Sequence, residues 1–257
     1  EAGLWLARYR DNGIKLAALD RTNFAWQQEE AYGHTNLAVL DESLGNLDAA
    51  KKSMLSLHKL YADWVNKYPE DLQIRADFAA KASWLGSINL QQGNLQEAKT
   101  YFIELTDLFE SNVRDEPDSV LWKEQHLYAL QLLLDVQFML GELEDARNTN
   151  GQALDSAQNL VFRDPVNHAW QMSLGISKYW QFELSTDKAS PPIHEAIEIF
   201  QKVNKIEPRN EVVALWLIKA LLSHSRMSPQ AGDSEQALKN TGLASALIQP
   251  FWVIEKD

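Results

Sequence analysis

The 257-residue sequence predicts an all-α fold, specifically a right-handed α-solenoid of stacked antiparallel helix hairpins. Three residue types recur in phase with a 48-residue period, and apolar residues recur at spacings of three and four between them. Such a pattern indicates two amphipathic helices in each repeat. One hairpin cannot bury both of its apolar faces, so neighbouring hairpins must stack. The phased residues are Gly45, Gly93, Gly141, Ala50, Ala98, Ala146, Pro69, Pro117 and Pro165.

Each repeat is predicted to contain two helices of roughly 21 residues, joined by a tight turn at the glycine. Glycine adopts the left-handed backbone conformation that closes a helix, so the first helix should end there. The small alanine lets the second helix approach the first closely. A residue that can cap the next helix follows each proline position by two places. These predicted caps are Asn23, Asp71, Ser119 and Asn167.

The repeats divide the predicted single domain, 1–257, into six parts. Residues 1–22 align with a second helix and form a half unit. In the last third, polar insertions at 185–192 and 225–233 change the rhythm and give shorter or irregular units. The complete units are 23–70, 71–118, 119–166, 167–209 and 210–257.

Composition and motifs exclude several classes of function. With 36 acidic residues against 24 Lys and Arg, the net charge is -12, and we expect no direct binding to nucleic acid, which depends on cationic side chains. The absence of cysteine excludes disulfides and thiolate sites. No apolar run approaches the about 20 residues of a membrane helix. Six isolated histidines, without a phosphate-binding glycine loop or a nucleophile elbow, predict no catalytic, metal or cofactor site.

Two segments resemble a known family. Leu85-Gly86 followed by Ala98-x3-Phe102, and later Ala196-x3-Phe200, are similar to the tetratricopeptide repeat. The units differ in length, 48 residues against the family's usual ~34, because the helices carry extra turns. Long units whose first helix begins near a tryptophan resemble arrays in bacterial multidomain regulatory proteins.

The resemblance implies that the first helix of each unit lines an inner, concave wall that grips a ligand. Counting from Gly86 in the family's register assigns twelve residues to this wall. The Lys and Asn clamp with which some relatives hold a peptide C-terminus has no counterpart here, so a free C-terminus is not the expected ligand. The assigned residues are Tyr32, Thr35, Val39, Glu42, Ser83, Ser87, Tyr128, Gln131, Asp135, Phe138, Tyr179 and Glu183.

The leading hypothesis is a non-catalytic scaffold or sensory module of a larger bacterial regulatory protein, with a protein or peptide as its partner. Two alternatives stay open: a sensor of a small molecule or signalling peptide, and an enzyme on an α-solenoid frame. Because the sequence begins at Glu1 rather than Met, we expect a soluble piece of a longer protein, with compartment (periplasmic or cytoplasmic) and membrane anchor left open. We also expect homodimerisation through exposed solenoid ends.

Overall fold

The computed structural model describes residues 2–186, 191–227 and 234–252, which contain eleven α-helices and no strand. The all-α prediction is confirmed for this part of the chain. Two compact units are present, residues 1–141 and 142–257, and within each the successive helices pack as the hairpins of a helical repeat. The single-domain assignment stays a prediction. Parts of both polar insertions, 187–190 and 228–233, lie outside the described residues.

The first unit contains six helices and the second contains five. In the first unit they are α1 (Ala2–Leu19), α2 (Phe24–Ser43), α3 (Leu47–Lys67), α4 (Leu72–Gln91), α5 (Leu95–Asp115) and α6 (Val120–Met139). In the second they are α7 (Leu143–Arg163), α8 (His168–Glu183), α9 (Pro191–Ile206), α10 (Glu211–Met227) and α11 (Ser234–Trp252). Among the described helices, none has an apolar stretch long enough to cross a membrane.

The phased glycines end the first helix of a hairpin, as predicted. Gly45, Gly93 and Gly141 have φ angles of 75°, 77° and 76°, and no other described residue with a positive φ is found. At Gly93 the amide donates to the carbonyl of Leu90 at 3.0 Å, so the reversed backbone satisfies a carbonyl that the helix leaves without a partner.

Three of the four predicted caps make the expected hydrogen bonds. The side chains of Asn23, Asp71 and Asn167 accept from backbone amides two or three residues further on, at 3.0–3.3 Å. Ser119 occupies the same position, but its side chain makes no such bond. Ser119 is therefore the N-cap residue of α6 as predicted, with the extended backbone of a cap, but its hydroxyl makes no hydrogen bond to the helix amides.

A close approach of α4 and α5 fixes the second hairpin. A Cβ atom on Gly86 would lie 2.4 Å from the ring of Phe102, which is fully buried. The same arrangement recurs in the second unit, where a Cβ on Gly175 would lie 2.6 Å from Phe200. Glycine is required in both helices because the aromatic ring takes the space of a side chain.

The first half of α4 is held by Arg75. Its guanidinium donates to Asn112 at 2.9 Å, to Ser111 at 3.2 Å, to Asp115 at 2.5 Å and to the Pro69 carbonyl at 2.6 Å. Its side chain is only 11% exposed, so the ion pair with Asp115 is screened less than a surface pair. This network fixes the start of α4 against the end of α5, and with it the cavity described below.

Candidate binding surface

A cavity of about 370 Å³ lies in the first unit, between α4 and α6 and over α5. Its lining combines aromatic rings, small side chains and polar groups. Of the eleven lining residues, Asp77 is the only one with a formal charge. They are Gln73, Ala76, Asp77, Ala80, Ser83, Leu105, Phe109, Leu121, Trp122, Gln125 and Tyr128.

Two stacked rings form the floor of this cavity. Phe109 and Trp122 lie with their ring centroids 6.5 Å apart and their planes 25° from parallel. The Trp122 indole N–H donates to Glu116 at 2.8 Å, which fixes the ring orientation. At the rim, Leu121 and Tyr128 are 51% and 49% exposed. The cavity therefore combines a rigid aromatic floor with an apolar and phenolic rim that a ligand would cover.

The neighbouring groove, between α2 and α4 and over α3, contains a half-buried cation, Lys81. The ammonium of Lys81 lies 4.8 Å from the centroid of the Tyr61 ring, a cation–π distance. Burial lowers the pKa of Lys81, and the nearby Asp77 carboxylate acts in the opposite direction. Burial raises the pKa of Tyr61 to about 12, with further contributions from Asp77 and Tyr32. The Tyr61 phenol is thus neutral at physiological pH.

Asp77 lies at the boundary between these two grooves. Its carboxylate accepts a hydrogen bond from the Gln73 amide at 3.1 Å, lines the cavity on one side and attracts Lys81 on the other. Further along the same face, the Tyr9 hydroxyl donates to Glu29, and this bond raises the Tyr9 pKa.

The structure brings two of the predicted wall residues to the cavity, Ser83 from α4 and Tyr128 from α6. Tyr32, Val39 and Phe138 are 55%, 50% and 39% exposed on the first helices of their hairpins. Glu42 accepts from the indole N–H of Trp84 at 2.6 Å, which joins α2 to α4.

Four other predicted wall residues in this unit are half-buried. The hydroxyls of Thr35 and Ser87 donate to backbone carbonyls one helical turn earlier, at 2.9 and 3.0 Å. Gln131 and Asp135 lie on α6, one and two turns beyond Tyr128. As a ligand-binding set, the twelve predicted residues stay a prediction.

The two predicted residues of the second unit belong to an enclosed network. Tyr179 is 8% exposed, with the rings of Trp180 and Trp216 at 5.4 and 5.5 Å, and burial raises its pKa. Glu183 accepts a hydrogen bond from the Ser223 hydroxyl, to which Arg226 donates at 3.1 Å. Both side chains therefore contact other residues of the protein and are not presented to a ligand.

Sequence reasoning missed the half of the cavity nearest the starts of the helices. Counting from Gly86 in the standard family register reached back only to Ser83 in the second repeat and to Tyr128 in the third, whereas the longer helices continue the same face by one or two turns. Stepping back by three and four residues from Ser83 reaches Ala80, Ala76 and Gln73, and the same steps from Tyr128 reach Gln125 and Leu121. The signal was present, but the family register excluded it.

Among the described residues, no group of three or more His, Asp or Glu side chains is arranged to hold a metal ion. The acidic and phenolic groups near the cavity are instead used in hydrogen bonds and cation–π contacts.

Comparison with known proteins places the chain among helical repeats. Residues 83–112 match the family model of the tetratricopeptide repeat. No curated protein matches the sequence. Among solved structures the chain is similar to BtubC (BKLC) from P. vanneervenii, at 14% identity and a TM-score of 0.60, covering 99% of this chain and 92% of that one. This likeness supports the fold.

Weaker similarities extend to two other structures. For MamA, residues 41 to the end, from Desulfovibrio magneticus RS-1, the identity is 15% and the TM-score 0.43, with 86% of this chain and 96% of that one covered. For the apo form of the quorum sensor NprR from B. thuringiensis, the identity is 14% and the TM-score 0.45, with 93% and 64% covered.

Proposed function

We propose that this chain, which belongs to the tetratricopeptide repeat family, is a non-catalytic scaffold or sensory module that binds a protein or peptide on the inner face of its first unit. The inner face is the side of α2, α4 and α6 that carries Tyr32, Ser83 and Tyr128. The observation that carries the proposal is the cavity between α4 and α6, with the exposed Tyr128 at its rim.

Several physical features support a binding role. Tyrosine supplies a large apolar surface and a hydroxyl at a low cost in conformational entropy, so exposed tyrosines are effective contact residues. The floor of the cavity is pre-formed, because the Phe109 and Trp122 rings are held by each other and by Glu116. A pre-formed floor lowers the ordering cost of association.

A partner search followed by variants tests this proposal. Partners would be captured with the purified chain by crosslinking, identified by mass spectrometry, and their affinities measured by calorimetry with purified components. We expect Tyr128→Ala and Asp135→Ala to weaken binding, Tyr128→Ala by about tenfold as for a central contact residue. Tyr68→Ala, which removes a tyrosine at the end of α3, should leave the affinity unchanged. Equal affinities for all four proteins would refute the proposed face.

The size of the cavity favours one second candidate, a small-molecule or signalling-peptide sensor. A volume of about 370 Å³ falls at the lower end of the range typical of ligand pockets. A ligand that binds the folded chain raises its melting temperature by mass action, so a thermal-shift screen tests this candidate. In the Ala80→Tyr variant the tyrosine would fill the cavity from its rim. A ligand that still raises the melting temperature of this variant would bind elsewhere.

The proposed setting is a larger bacterial regulatory protein, and this rests only on the resemblance of the long repeat units to those of such proteins.

Self-association is proposed from α1, where Leu4, Trp5 and Leu19 are 69%, 67% and 77% exposed. Large exposed apolar side chains on one helix favour packing against a second copy. Sedimentation velocity over a hundredfold concentration range should show a dimer that Trp5→Ala weakens. A monomer at every concentration would refute it.

A further inference from the structure

The 48-residue repeat allows the two grooves of the first unit to be compared position by position. The first groove lies between α2 and α4 over α3, and the second groove, which contains the cavity, lies between α4 and α6 over α5. Adding 48 to a residue number in the first groove gives its counterpart in the second. The backbones are equivalent, with helices of the same lengths, so the differences lie in the side chains.

The first groove is filled by the protein's own side chains. Lys81 lies in the cation–π position over Tyr61, and Tyr32 lies close enough to raise the Tyr61 pKa. Asp77 stabilises the ammonium by its negative charge. A long cationic side chain, an aromatic ring beneath it and a carboxylate beside it thus form one packed group.

The second groove keeps the aromatic ring but has no cation, and Gln125 stands in the position of Asp77. Phe109 stands in the position of Tyr61. Ala129 stands in the position of Lys81, and Ala80 in the position of Tyr32, so both long side chains are replaced by a single methyl group. Asp77 lines the second groove from α4, in the position that Glu29 has in the first groove. The cavity is lined by Ala80, where the first groove has Tyr32, whereas Ala129 is fully buried in the core.

We propose that the second groove binds a lysine or arginine side chain of a peptide partner, with Asp77 as the counter-ion. This inference rests on the proposed peptide-binding function and specifies the chemistry of the partner. The aliphatic stem of the incoming side chain packs against Phe109 and Trp122, and its charged end reaches Asp77. The flanking peptide residues cover Leu121 and Tyr128 at the rim.

Charge complementarity favours a cationic occupant. The eleven lining residues include one carboxylate and no Lys or Arg, and the whole chain has a net charge of -12. A carboxylate near a partly enclosed apolar floor interacts more strongly with an incoming cation than one in open water. The Lys81 arrangement shows that this repeat accommodates a half-buried ammonium when Asp77 is next to it.

Positional peptide libraries test the proposal directly. Hexapeptide pools with one fixed residue, Lys, Arg, Glu, Tyr or Leu, would be measured against the immobilised 257-residue chain. We expect the Lys and Arg pools to bind best. Asp77→Asn should weaken their binding by at least about tenfold, as expected for the loss of a charge-assisted hydrogen bond. The matched control is Asp63→Asn, which removes an exposed carboxylate from α3 of the same unit and should change nothing.

Two further variants test the mechanism. Asp77→Lys should reverse the preference towards the Glu pool. Ala80→Tyr copies the residue of the first groove at an exposed position and should abolish binding of all pools, while circular dichroism confirms that the helices remain.

The outcomes separate this inference from the proposed function. Peptides that bind with no preference for Lys or Arg, or whose affinity is the same for wild type and Asp77→Asn, overturn the inference and leave peptide binding intact. A preference for the Tyr pool would mean that a tyrosine of the peptide takes the place that Tyr32 has in the first groove. This result would also overturn the inference. If no pool binds the wild-type chain, both the inference and the proposed peptide-binding face are refuted.

Discussion

Replacing Gly86 with alanine tests the helix packing on which the site depends. The added Cβ would lie 2.4, 2.7 and 2.9 Å from three ring carbons of Phe102, whereas ordinary contacts are 3.4–4 Å. The ring is fully buried, so it cannot move into solvent. Overpacking of this kind costs about 1–3 kcal/mol. The better helix propensity of alanine offsets about 1 kcal/mol, which leaves a net loss of about 0–2 kcal/mol.

The control is a glycine in a helix with open space around it. A Cβ at Gly151 on α7 meets nothing within 4 Å, so Gly151→Ala should stabilise the chain by about 0.5–1 kcal/mol. Thermal unfolding followed by circular dichroism measures both, with shifts of about 2–4 °C per kcal/mol for a chain of this size. Phe102→Leu should relieve the clash, so the double variant should lose less than the sum of the two single losses. A Gly86→Ala variant that is stabilised as much as Gly151→Ala would refute the packing.

Three further predictions concern the turns, the caps and acid stability. Gly93→Ala should lower the free energy of unfolding by about 1–2 kcal/mol because φ is positive, and Gly93→Asn should lower it less; urea titration of both variants checks this. In the same assay, Asp71→Ala should cost about 1 kcal/mol, whereas Ser119→Ala, which removes no cap bond, should cost little. Burial lowers the pKa of His126 below 6.5, so the unfolded chain binds a proton more readily than the folded one. The free energy of unfolding should therefore fall as the pH falls from 6.5 towards 5. His126→Gln should flatten this dependence, and an unchanged slope between pH 7 and 5 would contradict it.

The helices and their turns were predictable because each depends on a few neighbouring residues. A glycine that must take a positive φ, such as Gly45, marks the end of a helix regardless of what surrounds it. Caps are also local, but they need a side chain of the right reach. The shorter Ser119 hydroxyl makes no cap bond where the Asp71 carboxylate makes two, and residue type alone did not separate them.

The cavity was not predictable in the same way, because three helices must supply its lining. Sequence reasoning selected Ser83 and Tyr128 from helical spacing, and both line the cavity. It also selected Tyr179, which has the position of Ser83 in its repeat but is enclosed by Trp180 and Trp216. Equivalent positions in a repeat lie on the same face of their helices. Whether their side chains are exposed depends on the size of the residues from neighbouring helices.

Within such a repeat, differences between equivalent positions are more informative about binding than the repeated residues themselves. Residues that recur, such as Gly45 and Gly93, maintain the turns that every unit needs. The change from Lys81 to Ala129 has no role in maintaining the backbone, because alanine is favourable in a helix at either position. It leaves the second groove without a cation of its own, and the change from Tyr32 to Ala80 leaves space beside Asp77. Asp77 is the one carboxylate among the residues that line this cavity, and its attraction for an incoming cation is the physical basis for assigning a cationic side chain to the partner.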